Sequence, residues 1–270
     1  MPELPEVEIT RRSLLPALLH KSLTGATVRN PALRYPVPGN LASALAGQPL
    51  QAIDRRGKYL LLRFRGGTVL IHLGMSGSLR LVPTCATAGA HEHVDLLFGG
   101  TALRLSDPRR FGAVLFHGGD SASHPLIANL GIEPLSPAFS PQWLYRATRG
   151  RRAPIKHFLM DSRRVVGIGN IYASESLFRA GIQPLTPASA VGPRRCARLV
   201  AAVRETLEAA LAAGGSSIRD FVHSDGAGGS FQQTHFVYGR AGKPCRVCAS
   251  LIRTARLGNR STFYCPRCQR

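Results

Sequence analysis

Four cysteines near the end of the chain constrain its fold most. Cys245 and Cys248 in CRVC and Cys265 and Cys268 in CPRC read as C-x2-C-x16-C-x2-C, the spacing at which two short knuckles bring four thiolates around one tetrahedral zinc ion. Four protein ligands leave no open coordination position, so one structural Zn2+ per chain is expected. The competing reading, a pair of disulfides, fits poorly with an opening segment too acidic for a secretion signal. Four thiolates around a divalent ion carry net negative charge, yet residues 240–270 hold eight Lys/Arg and no carboxylate. Such a finger is expected to face phosphate. Cys85 and Cys196 stand alone in other segments and carry no expected role.

The same charge bias runs through the whole chain of 270 residues, where 35 Lys+Arg against 15 Asp+Glu give a net charge of +20. Phosphate polyanions or an anionic membrane are the natural partners of such a protein. Nucleic acid is favoured because no continuous apolar span reaches membrane length. A hydrophobic content of 44% places the charge on a folded protein with a real core and not on a disordered basic tail. The expected reading is a cytoplasmic, polyanion-binding globule. Charge alone does not separate an enzyme from a ribosomal-type binder.

The texture along the chain predicts an α+β protein. Leu4, Val7, Leu14, Leu15 and Leu18 recur at helical spacing and predict an amphipathic helix over about residues 4–19. From Leu23 to about His117, short apolar or alternating runs such as KYLLLRF, TVLIHL and HVDLLF are punctuated by Gly and Pro, which predicts an antiparallel sandwich or barrel. A Pro/Gly/Arg-rich stretch over 118–152 reads as a connector with one short helix near 142–148. Helices follow at 170–181 and 193–215, each ending at glycine. The segment from His235 reads as a small β-hairpin module.

The opening MPELPEVE is the candidate reagent. If Met1 is trimmed, the chain starts with the secondary amine of Pro2. An α-amino group has a pKa of about 8 against about 10.4 for lysine, so far more of it is unprotonated near neutrality. The positive end of a helix dipole disfavours its protonated form further. A secondary amine condensing with an aldehyde carbon gives a cationic iminium, which is an electron sink. Glu3 beside it can move protons, and Lys58 in RRGKYLLL offers a second acid/base centre. The plainer reading makes Pro2 a helix-start proline and the glutamates partners of the dipole.

Taken together, PELPEVE, GKYLL, HLGMSG, DPRRFG, VVGIGNIYASESLF, CRVC and STFYCPRC occur in that order. The set closely resembles bacterial formamidopyrimidine-DNA glycosylases over essentially the whole chain. The resemblance implies an N-terminal catalytic β-sandwich domain flanked by helices over 1–132 and a connector over 133–152. It further implies a helix-two-turn-helix DNA-binding domain over 153–234 and a four-Cys zinc finger with a β-hairpin over 235–270. It implies removal of oxidised purines, 8-oxoguanine and formamidopyrimidines, from duplex DNA, followed by β,δ-elimination at the abasic site.

In that scheme Pro2 attacks C1′ of the flipped nucleotide, Glu3 relays protons, Lys58 assists β-elimination and Arg260 positions phosphate for δ-elimination. Met75, Arg109 and Phe111 fill the gap left in the stack, with Phe111 as the wedge. Asn170, behind Gly167 and Gly169 at a helix start, is implied as a phosphate contact and reads equally as an N-cap. Arg151, Lys156, His72 and His91 are further implied phosphate contacts, whereas His93 reads as strand packing. The Gly-rich stretch 224–233 lies where the family has its damaged-base loop, with Ser230 where relatives carry a larger residue. Two alternatives stay open: an endonuclease VIII-type enzyme for oxidised pyrimidines, and a non-catalytic zinc-finger nucleic-acid binder. A monomer is expected, since duplex DNA already spans both domains.

Overall fold

A computed structural model describes residues 1–216 and 231–270. Two compact units emerge from the chain, one of residues 1–129 and 213–230, the other of residues 130–212 and 231–270.

The first unit is a β-sandwich. Its opening helix α1 (Leu4–Leu18) is followed by β1 (Gly25–Val28), the short α2 (Leu41–Leu45), β2 (Ala52–Arg56), β3 (Tyr59–Phe64) and β4 (Gly67–His72). Then come β5 (Ser78–Pro83), β6 (Glu92–Phe98), β7 (Thr101–Ser106), β8 (Ala113–His117) and the single turn α3 (Pro125–Ala128). Two four-stranded antiparallel sheets result, ordered β1-β6-β7-β5 and β2-β3-β4-β8.

Strand alternation builds the core. Leu60, Leu62 and Phe64 of β3 and Val69 and Ile71 of β4 meet Leu79, Val94, Leu96, Phe98, Leu103 and Leu105 of the other sheet, and Val7, Leu14 and Leu18 close it from α1. The choice between sandwich and barrel thus falls to the sandwich, because two separate sheets share one apolar layer.

The second unit contains α4 (Pro141–Thr148), α5 (Ile155–Met160), α6 (Asn170–Arg179) and α7 (Pro193–Ala212), then the hairpin of β9 (Arg253–Leu257) and β10 (Arg260–Tyr264). Phe178, Val237, Cys245, Ile252 and Cys265, flanked by Phe236, Cys248, Phe263 and Cys268, form its small second core around the cysteines. Glu175 of α6 fastens the segment leading into the hairpin: its buried carboxylate accepts the N–H groups of Phe236, Val237 and Tyr238 at 2.8–3.0 Å. Among the described residues no helix is long and apolar enough to cross a membrane.

Candidate active site and nucleic-acid interface

Pro2 and Glu3 are buried just ahead of α1. Glu3 is the N-cap; its side chain accepts the Glu6 N–H, and Glu6 Oε2 accepts the Glu3 N–H at 2.8 Å, a reciprocal capping box. Glu6 is fully buried and its other oxygen accepts the Ser216 N–H at 2.8 Å. Gly215 lies against the same carboxylate with a φ of 79°, where an added Cβ would come within 3.1 Å of Glu6 Oε1. The N-terminal peptide is therefore fixed by two carboxylates.

Helix α1 runs antiparallel to β2. Arg11 donates to the Ile53 carbonyl at 3.2 Å, and Arg55 donates to Glu8 at 3.1 Å, so walking back along the helix means walking forward along the strand. The start of α1 consequently points toward the β2–β3 turn, where Gly57, with a φ of 58°, and half-buried Lys58 make a two-residue hairpin loop. Tyr59, next to Lys58, pairs in register with His72 at the end of β4, and the two rings sit 4.8 Å apart. Burial, reinforced by the charges of Lys58 and Arg34, lowers the His72 pKa to about 4. The ring is thus neutral at neutral pH. Its Nδ1 accepts the Gly74 N–H at 3.0 Å, which puts the proton on Nε2 and makes His72 a neutral donor.

Met75 and Phe111 project from adjacent turns and are 40% and 44% exposed. The turns touch through backbone: Gly74 has a φ of 63°, and a Cβ there would lie 2.4 Å from the Phe111 carbonyl carbon. Arg109 stacks its guanidinium over the Phe111 ring at 5.1 Å. His91 is exposed at the end of the β5–β6 loop. Buried Arg104 holds that loop by donating to the carbonyls of Ala86 and Thr87 while binding Asp95 with two nitrogens. His93 is a packing residue, as expected, buried with Nε2 2.9 Å from the Asp107 carbonyl.

In the second unit, Gly169 is the N-cap of α6 and Asn170 its first helical residue; Asn170 does not cap. Its Nδ2 reaches instead to the Ser261 carbonyl of the finger hairpin at 3.0 Å. Lys156, expected as a phosphate contact, has protein partners in the finger hairpin. It is 1% exposed, and its ammonium donates to Thr262 Oγ1 at 2.8 Å and toward the Ser261 carbonyl at 3.4 Å. A buried cation needs hydrogen-bond partners, and the stretch that supplies these two lies about a hundred residues downstream. Arg151 and Arg260 are both exposed, Arg260 opening β10 directly after the Gly258–Asn259 turn.

The four expected thiols converge, with all sulfurs within 4.8 Å of one another. Cys245 and Cys268 are 3.9 Å apart and Cys248 and Cys265 3.4 Å, close to the edge of about 3.8 Å that Zn–S bonds of about 2.3 Å give a tetrahedron. Knuckle N–H groups of Val247 and Cys268 donate to the sulfurs of Cys245 and Cys265. The disulfide reading fails on these distances, since an S–S bond is about 2.05 Å.

Glu6, Asp107 and Glu175 were not singled out by sequence reasoning. Two signals were available: acidic side chains are scarce in so basic a chain, and each of the three lies inside a quoted motif, Glu6 in PELPEVE, Asp107 in DPRRFG and Glu175 in VVGIGNIYASESLF. Cys85 is exposed, and Cys196 is buried with its thiol directed at the Val191 carbonyl. The damaged-base-loop expectation and Ser230 lie outside the described residues up to position 230; residues 231–234 form a short 3-10 turn.

Residues 1–114 match the family described as formamidopyrimidine-DNA glycosylase N-terminal domain, residues 130–222 the formamidopyrimidine-DNA glycosylase H2TH domain, and residues 242–270 the zinc finger found in FPG and IleRS. The formamidopyrimidine-DNA glycosylase of Aromatoleum aromaticum is 63% identical over 270 residues, covering 100% of both chains. Among solved structures, the MutM (Fpg) protein from Thermus thermophilus aligns with a TM-score of 0.90 at 39% identity, covering 99% of this chain and 98% of that one. A Lactococcus lactis Fpg mutant in complex with a Fapy-dG-containing DNA aligns with a TM-score of 0.93 at 31% identity, covering 100% of both.

Proposed function

The chain belongs to the formamidopyrimidine-DNA glycosylase family, and on that basis we propose that it excises oxidised purines, 8-oxoguanine and formamidopyrimidines, from duplex DNA and then severs the strand through a Pro2 iminium. The observation that carries this reading is the buried Pro2–Glu3 corner, clamped by Glu6 and directed by the α1–β2 register toward Lys58.

Removal of Met1 leaves Pro2 with a nucleophilic ring nitrogen. Its lone pair forms a bond to C1′ as the glycosidic bond breaks, and the departing base takes a proton relayed by Glu3. Attack leaves the ring nitrogen as a protonated ammonium, and its proton passes to Glu3; the lone pair so freed expels O4′, which takes up a proton, leaving a C1′ iminium cation. That cation acidifies C2′–H; Lys58 accepts the proton, and the electron pair expels the 3′ phosphate. Loss of the C4′ proton expels the 5′ phosphate in the same way, and water hydrolyses the iminium to restore Pro2. Arg260 stays protonated and neutralises the leaving phosphate.

Target access requires the nucleotide to leave the stack. Met75 and Phe111 replace the lost stacking, and the Arg109 guanidinium meets the widowed cytosine. Asn170 keeps a second amide hydrogen for a phosphate oxygen. Arg151, His91 and the neutral Nε2–H of His72 donate to others, and Lys156 holds the hairpin that carries Arg260. A zinc ion on Cys245, Cys248, Cys265 and Cys268 supplies only the cross-link that shapes the finger. The protein acts as a monomer on chromosomal DNA in the cytoplasm.

Borohydride added during incubation with an 8-oxoguanine duplex tests the chemistry. The expected product is a covalent protein–DNA adduct mapping to Pro2, absent in Pro2→Gly, with thymine glycol duplex a poorer substrate. An adduct on another amine, or full activity in material that retains Met1, refutes the mechanism; preference for thymine glycol moves the substrate class to oxidised pyrimidines.

A further inference from the structure

The two turns that carry Met75 and Arg109–Phe111 meet over one buried side chain, Asp107, which is 0% exposed. Its Oδ1 accepts the Ser76 hydroxyl at 3.0 Å from the first turn and the Arg109 N–H at 3.3 Å from the second. Its Oδ2 accepts the Gly112 N–H at 2.7 Å. The backbone is equally committed: Asp107 N–H donates to the His91 carbonyl at 2.9 Å, and its own carbonyl accepts from His93 Nε2 and the Arg110 N–H. No cation pairs with this carboxylate among the described residues. Every donor to it is an uncharged group on a turn.

A buried carboxylate without a counter-ion is costly, and an amide or hydroxyl of similar size would spare that cost. Asparagine, however, has a single acceptor oxygen. It would set its amide N–H against either the Gly112 N–H or the Arg109 N–H, so only a group with acceptors on both oxygens ties Ser76, Arg109 and Gly112 at once. Gly112 leaves no slack, because a Cβ there would meet Asp107 Oδ2 at 2.9 Å and the His72 carbonyl at 3.0 Å.

We propose that Asp107 is the positioning residue for base extrusion, locking the Met75 turn and the Arg109–Phe111 turn into one block that enters the stack together. This rests on the reading that those three side chains fill the vacated gap. Asp107 acts through them and does not touch the reacting sugar.

The test compares two reactions of Asp107→Asn and Ser76→Ala: single-turnover excision of 8-oxoguanine from duplex, and cleavage of a preformed abasic site in a single strand, where no stack has to open. Asp107→Asn should slow duplex excision by about tenfold or more and leave single-strand cleavage at the wild-type rate. Ser76→Ala, which removes one tie only, should fall between. Equal loss in both reactions, or an unchanged duplex rate, overturns the proposal. Should Asp107→Asn fail to fold, Ser76→Ala decides alone, an unchanged duplex rate being the refuting result. Phe111→Ala separates the two layers of inference: if it too excises at the wild-type rate from duplex, the gap-filling reading itself has failed.

Discussion

Glu8 illustrates how single residues in this basic protein are tuned. Burial by itself would raise its pKa, but hydrogen bonds from Arg11 and Arg12 and the charges of Arg11 and Arg55 outweigh that and hold it at about 2. Because the folded-state value lies below the unfolded one, the stabilisation is complete above about pH 4.5 and is lost as pH falls toward 2. The shift corresponds to about 3 kcal/mol as an upper figure, since Arg12 is largely exposed. Glu8→Gln should therefore lower the denaturant midpoint at pH 7, with the deficit shrinking toward zero near pH 2. A deficit independent of pH would show that the network contributes through packing alone. PELPEVE advertised its acids, but not that Glu8 would serve Arg11 and Arg12 of its own helix and Arg55 of β2 while Glu3 and Glu6 clamp the helix start.

The longer helices fall where the local pattern puts them, 4–18 against an expected 4–19 and 193–212 against 193–215, whereas the short α2, α3 and α5 were not expected. The ends differ because capping, not periodicity, sets them. What local pattern does not contain is how an element is tied to a distant one. Helix α6 holds residues 236–238 through the single carboxylate of Glu175, which receives three backbone donors. Replacing it with glutamine removes one acceptor and faces an N–H with an N–H. Glu175→Gln should cost about 2–3 kcal/mol and raise hydrogen exchange at the 236–238 amides, with the sandwich amides unaffected. Unchanged exchange there would mean that the Phe178–Phe236 stack, at 5.0 Å, suffices as the anchor.

Across the molecule, the two cores differ in kind. The sandwich core joins both sheets and α1, whereas the finger core is a handful of side chains, four of them cysteines. Cores that small depend on their metal. Zinc chelation should unfold residues from about 235 onward and abolish DNA binding, while near-UV and exchange signatures of residues 1–129 persist; loss of both together would show the units to be mutually dependent. The zinc ligands, the sandwich strands, the opening helix, the two longest helices of the second unit and the polyanion partner were legible before folding, since each is written in contiguous residues or fixed spacings. Folding had to settle that Lys156 turns inward to the finger, that Asn170 does not cap, and that Glu6, Asp107 and Glu175 are clamps. The reason is physical: a buried charged group must be satisfied by donors or acceptors, and which backbone or side chain supplies them depends on segments tens to hundreds of residues away that meet only once the chain has folded.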